Sequence, residues 1–183
     1  MKLQTNPKVV ARLAAEHEED NWGFRSFLKG VDLEIEELDA IVHRHYEAVS
    51  SRIDCCACGN CCREILPLLG ASDVARLASG LDISETEMID RFLVREEEDH
   101  TFTFSKRPCP FLSGNRCTAY EFRPDDCRSF PHLHKSEFVS RLIQVVQNCA
   151  ICPIVFNVFE RLKDEFRREP DIVWDEEMDW IDV

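Results

Sequence analysis

A chain of 183 residues is long enough for one domain with appendages and a modest core, and its hydrophobic share of 44% and charged share of 31% are those of an ordinary globular protein. The formal net charge of −13, from 22 basic and 35 acidic residues, argues against a nucleic-acid partner, which is held by neutralising phosphates, and against an anionic membrane surface. No run approaches the about 18 apolar residues of a membrane span, and Met1–Pro7 carries no apolar signal stretch, so the expected location is the reducing cytoplasm.

Asn6-Pro7 reads as a capped helix start, and Val9, Val10, Leu13 and Ala14 recur at helical spacing. This helix is expected to dissolve into Glu16-His17-Glu18-Glu19-Asp20, followed by a linker holding Trp22, Gly23, Phe24 and Gly30. Asp32 opens a longer helix over 33–51, with Leu38, Ile41, Val42, Tyr46 and Val49 on its apolar face. That helix delivers the chain into Cys55-Cys56-Ala57-Cys58-Gly59-Asn60-Cys61-Cys62, five cysteines in eight residues. Pro67 makes the apolar run Ile65–Leu69 a poor helix interior. Ser72 is the expected cap of a helix through Ser79, with Gly80 as its C-terminal stop. Ser84-Glu85-Thr86-Glu87 is a capping box opening a helix to about Val94, and the charge run Arg95–Asp99 reads as its solvated end.

Thr101–Phe104 alternates with period two, and Ser113-Gly114-Asn115 is a turn leading into Arg116-Cys117-Thr118. The two strands are expected to pair as one small hairpin with Cys109 and Cys117 at its rim. Arg123–Pro131 reads as loop, and 136–147 fits a helix better than a strand. A last helix follows Pro153, with Val155, Phe156, Phe159, Leu162 and Phe166 along one face. The acidic tail from Pro170 is expected to dock weakly or not at all. The expected fold is mainly α with a small β-hairpin, its irregular cysteine-rich metal-binding core packed by helices. It divides into an N-terminal helical segment 1–54, a cysteine-cluster domain 55–152, and a C-terminal helix with acidic tail 153–183.

Ten cysteines need one account. The spacing of Cys55, Cys58 and Cys61 turns successive thiolates toward one point, and Gly59-Asn60 supplies the tight backbone. Thiolates are soft ligands that select zinc or iron–sulfur over magnesium or calcium. The candidate metal ligands are Cys55, Cys58, Cys61, Cys62, Cys109, Cys117, Cys127 and Cys152. Ten thiols can supply two zinc sites of four cysteines each, with two to spare. Equally, a Cys-x₂-Cys-x₂-Cys loop with a remote cysteine before proline, at Cys109-Pro110 or Cys152-Pro153, is a ferredoxin-like arrangement for an iron–sulfur cluster. The ferredoxin run itself is absent, because Cys62 follows Cys61 directly. Spacing leaves the metal open. Cys56 breaks the repeat and is expected to be a bystander; His132 and His134, close after Cys127, are secondary candidates. Arg63, Arg116, Arg123 and Arg128 flank the loops and are either surface charges or partners that offset thiolate charge. A disulfide-stapled domain is the competing account of an even thiol count, disfavoured by the tight clustering.

Catalysis finds no support in the residues. There is no G-x-G-x-x-G or P-loop among six glycines, no Ser-His-Asp set, and no Cys-x₃-Cys-x₂-Cys, since residue 65 is Ile65. No catalytic or organic-cofactor residue is named.

Cys55-x₂-Cys58-x₂-Cys61-Cys62, Cys109-Pro110-Phe111-Leu112, Cys117 and Arg123-Pro124-x₂-Cys127-Arg128-x-Phe130-Pro131 resemble, in this order, the YkgJ-type cysteine-cluster family. The resemblance covers about Cys55 to Cys152; Cys56 and Cys149 do not fall on its pattern. It implies chelation of zinc or iron by a protein of undefined biochemical role. Related clusters in flagellin lysine N-methylases imply the alternative of an iron–sulfur enzyme of methyl transfer or redox chemistry.

Overall fold

The computed structural model describes residues 2–96 and 101–168; the expectations for 97–99 and for the tail from Pro170 lie outside these residues. The fold is mainly α with two short antiparallel strand pairs.

The chain opens with α1 (Pro7–Glu16), where the Asn6 side chain accepts from the Lys8 amide at 3.0 Å. The expected linker is instead α2 (Glu18–Gly30). Phe24 and Leu28 lie one turn apart and are both buried, and the Phe24 ring meets Phe159 edge-on at 5.2 Å. Burial of aromatic surface outweighs the poor helix propensity of Gly23, itself buried inside the helix. The long helix α3 (Ile35–Ser50) starts later than Asp32, because Glu34 and Glu37 form the capping box.

The cysteine loop folds into two single turns, α4 (Cys55–Cys58) and α5 (Cys61–Glu64), separated by Gly59 at φ +61°. Next is α6 (Ala71–Leu81), which begins after Gly70 rather than at Ser72. Gly80 lies within this helix; a Cβ there would stand 2.2 Å from the Phe122 ring, so glycine serves close packing, and the left-handed stop is Asp82. Helix α7 (Glu85–Phe92) ends where β1 (Leu93–Arg95) begins. β1 pairs with β2 (Phe102–Phe104), with Val94 opposite Thr103. The expected pairing of Thr101–Phe104 with Arg116–Thr118 is therefore wrong. β3 (Leu112–Ser113) pairs with β4 (Arg116–Cys117) in a separate hairpin around Gly114. The expected loop 123–131 contains α8 (Asp125–Ser129), which carries Cys127. After a 3₁₀ turn at Phe138–Arg141 come α9 (Leu142–Cys149) and α10 (Pro153–Phe166). Among the described residues no single helix is long and apolar enough to cross a membrane.

Two hydrophobic cores result. In the first, α10 is surrounded by α1, α2, α3 and α9, and Cys149 and Cys152 are among its buried residues. Lys163 is 1% exposed there, with its ammonium 2.7 Å from Asp20 Oδ2 and 2.8 Å from Asn21 Oδ1, so its charge is buried but paired. The second core joins α6, α7, β1 and β2 with Phe111 and Ala119, and Cys109 and Cys117 pack against it. The cysteine loop lies in sequence and in space between the two.

Asp39 on α3 accepts from the amides of Glu137 (2.7 Å) and Phe138 (2.9 Å), anchoring the start of the 3₁₀ turn across the first core. Asp39→Ala leaves two inward amide groups without acceptors and is expected to cost about 1–3 kcal/mol, read as a lower denaturant midpoint at unchanged slope.

Candidate metal centre

The 55–64 loop is shaped by local backbone chemistry. Asp54 caps α4 through the Cys56 amide at 2.8 Å. Gly59 takes the left-handed conformation that lets the chain reverse and start α5. Three side chains then brace the loop, Asn60 and Arg63 from within it and Asn115 from the β3–β4 hairpin. Arg63 donates to the carbonyls of Cys58 (3.2 Å) and Gly114 (2.7 Å) and to Asn115 Oδ1 (2.6 Å). Asn115 donates to the Ala57 carbonyl at 2.8 Å, tying the β3–β4 hairpin to α4. Asn60 donates to the Ile151 carbonyl at 2.8 Å, tying the loop to the corner before α10.

The remaining cysteines arrive from both sides. The Cys109 amide donates to the Cys62 carbonyl at 2.8 Å, and Cys117 sits on β4 opposite Leu112. Cys127 rides on α8, whose position is fixed by Asp73: this buried carboxylate accepts from the Asp125 amide at 3.0 Å and pairs with Arg76, which also reaches Asp125 at 2.8 Å. Cys152 caps the start of α10 from within the first core.

Between these elements lies a cavity of about 210 Å³. Cys55, Cys56, Cys61 and Cys62 line it from the loop, and Cys109, Cys117 and Cys127 from the opposite wall, with Phe104, Phe111 and Phe130 among its apolar lining. Cys58 and Cys152 are not in that lining; they are charge neighbours of each other and of Cys55. Cys149 is buried in the first core near Lys163 and Glu160. His132 pairs with Asp126 at 3.2 Å, and His134 lies against the Tyr46 ring; neither lines the cavity. Arg123 and Arg128 do line it, but their hydrogen bonds go to backbone carbonyls, and Arg123 also covers the Tyr120 ring at 3.7 Å.

All ten cysteines are free. The Sγ atoms of Cys61 and Cys62 are 4.0 Å apart. Among the described residues, no group of three cysteine, histidine, aspartate or glutamate side chains closes around a point that would hold an ion. The thiols ring the cavity instead. By donor chemistry, the set fits a soft metal.

Crowding shapes the acidity of these thiols. Burial, and then neighbouring thiolates, push Cys109 up to about 11, Cys127 to about 12 and Cys55 upward from 9.0. Burial likewise takes Cys152 to about 12, against the opposing help of the α10 amides of Val155 and Ile154. The adjacent pair behaves differently: a hydrogen bond from Cys61, with the Arg63 guanidinium beside it, lowers Cys62 to about 7 while Cys61 is pushed far up. One member of the pair holds its proton so that the other can be a thiolate.

The family model CxxCxxCC, putative zinc- or iron-chelating domain, matches residues 54–153, more than half of the chain. No curated protein and no solved structure matches it. The motif of the cysteine loop was legible in sequence. The braces Asn60, Asn115 and Asp73 were not, because single polar residues carry no spacing signal.

Two outcomes follow from the geometry. Gly59→Ala puts a Cβ 2.7 Å from the Asn115 carbonyl in a left-handed backbone, so it is expected to cost at least about 1–2 kcal/mol, measured by thermal or urea unfolding. With a chelator present, raised thiol pKa values stabilise the fold fully below 9.0, the ordinary value, and that contribution is lost as pH rises through about 11–12. The metal-free chain should therefore lose stability progressively above pH 9. Bound metal, which requires thiolates already, should flatten that alkaline loss and replace it with an acid-side one, seen by unfolding at a series of pH values.

Proposed function

Since the chain belongs to the CxxCxxCC family of zinc- or iron-chelating domains, we propose that it is a metal–thiolate protein whose centre joins its two hydrophobic cores. Cys55, Cys58, Cys61, Cys62, Cys109, Cys117, Cys127 and Cys152 are the ligands in this reading. The observation that carries it is that seven thiols line one cavity, four from the 55–62 loop and Cys109, Cys117 and Cys127 from the chain beyond it, with Cys152 of the first core a charge neighbour of Cys55 and Cys58. Cys152 comes from the helical core, Cys109 and Cys117 from the other, and the 55–62 loop lies between. A metal held there couples the cores, so its binding free energy is also folding free energy. Arg63, next to Cys62 and hydrogen-bonded to the loop, offsets part of the negative charge that thiolates accumulate.

The test is metal content per chain on anaerobically purified protein, by elemental analysis with acid-labile sulfide and visible absorbance. Iron with sulfide and colour identifies a cluster; zinc without colour identifies a closed site; a chain without metal whose thiols oxidise in pairs overturns the reading. Cys58→Ser is expected to lose most of the metal its centre holds and to lower the unfolding temperature, whereas Cys56→Ser retains it. Metal loss in Cys56→Ser would make that residue a ligand.

A further inference from the structure

We infer that the eight thiols form two separate four-thiolate centres, Cys62, Cys109, Cys117 and Cys127 in one and Cys55, Cys58, Cys61 and Cys152 in the other. This deepens the metal–thiolate reading and rests on it. The division comes from how the fold holds each thiol. Cys62 is locked to Cys109 by a backbone hydrogen bond of 2.8 Å, and Cys109 is locked to the β3–β4 hairpin by the Leu112 amide at 3.0 Å. Cys117 is on that hairpin, and Cys127 is presented by the helix that Asp73 and Arg76 fasten. All four face the cavity.

Cys61 is preceded by Asn60, whose side chain holds the Ile151 carbonyl, and so the residue next to Cys152 is fastened to the residue next to Cys61. Cys58 and Cys152 do not line the cavity, whereas Cys55 and Cys61 reach it from the loop. The charge neighbours lie mostly within each set: Cys127 has Cys62, Cys109 and Cys117 beside it, Cys61 has Cys55 and Cys152, and Cys152 has Cys55 and Cys58, while Cys62 also neighbours Cys55 and Cys61 and Cys56 neighbours Cys117. Cys61 and Cys62 form the boundary. Successive residues on a helical turn are rotated by about 100°, so the adjacent pair in α5 can serve different centres from one turn of backbone. The cysteine that follows directly upon the Cys-x₂-Cys-x₂-Cys repeat is thereby explained: the repeat serves one site and the extra residue opens the second. Cys56 and Cys149 are left over.

The probe is cadmium(II) added to the full chain after reduction and chelation without oxygen, followed by ¹¹³Cd nuclear magnetic resonance. Two equivalents should bind, giving two resonances of equal intensity, both in the range of all-sulfur coordination. Cys127→Ser should lose or shift one resonance and keep the other, Cys152→Ser should do the reverse, and Cys56→Ser should alter neither coordination. Saturation at any count other than two, or loss of both resonances in either variant with helicity retained, overturns the two-centre inference while leaving metal binding intact. If a variant fails to fold, the wild-type count and spectrum decide alone. Absence of any bound cadmium overturns the metal–thiolate reading together with this one.

Discussion

Thiolates repel one another, and burial penalises each of them, so a protein can crowd sulfur only by keeping it protonated or by supplying positive charge. Both devices are present at this loop. Most of the thiols around the cavity are held above their ordinary pKa, while Cys62 is eased downward by Cys61 and Arg63. The side-chain hydrogen bonds of Arg63, Asn115 and Asn60 go to backbone carbonyls, which fixes the loop's path, while backbone amides reach the sulfurs of Cys109, Cys117 and Cys152. A soft cation is the partner whose chemistry matches such a set.

The braces form a hierarchy. Asn115 and Arg63 join the loop to the hairpin, Asn60 joins it to the corner before α10, and Asp73 with Arg76 sets the helix that presents Cys127. Asn115 and Asn60 act on the backbone beside a cysteine, Arg63 on the Cys58 carbonyl itself, and Asp73 on the first amide of the helix that carries Cys127. The cysteines are thus positioned through their neighbours, which is what a site assembled from both cores requires.

Much of this was legible beforehand, and the exceptions share a cause. Amphipathic helices such as α3 and α10 announce themselves because one apolar face repeats along one element. The ordered cysteine motifs announce the chemistry for the same reason. Helix α2 did not, because Gly23 and the charged start of the segment mask a face whose value lies in Phe159 across the core. The strand Phe102–Phe104 was legible as a strand, but its partner was not: pairing with Leu93–Arg95 is decided by a connection whose charged residues give no register signal. Gly80 carries the sequence signature of a helix stop and is instead a contact surface for Phe122, a distinction made entirely by a ring more than 40 residues away in the chain. Spacing singles out Cys55, Cys58 and Cys61, and the ordered motifs of the resemblance add the remote candidates; the proposed grouping depends on Cys109 meeting Cys62 and on Asn60 meeting Ile151, which spacing does not encode.

The position of α10 has a temporal consequence. Arg44 and His45 on α3 hold Glu165 on α10, at 2.6 Å each, across sequence separations of 121 and 120 residues. On the ribosome, α3 is made long before the helix that covers it, and during that interval the cysteine loop, the second core and its hairpin are all synthesised. The second core can close from a contiguous stretch of chain while the first still waits for its central helix. Cys152 is the last of the clustered thiols to emerge, at the head of that same helix. Completion of the cysteine set and closure of the helical core are therefore one late event in the life of the nascent chain.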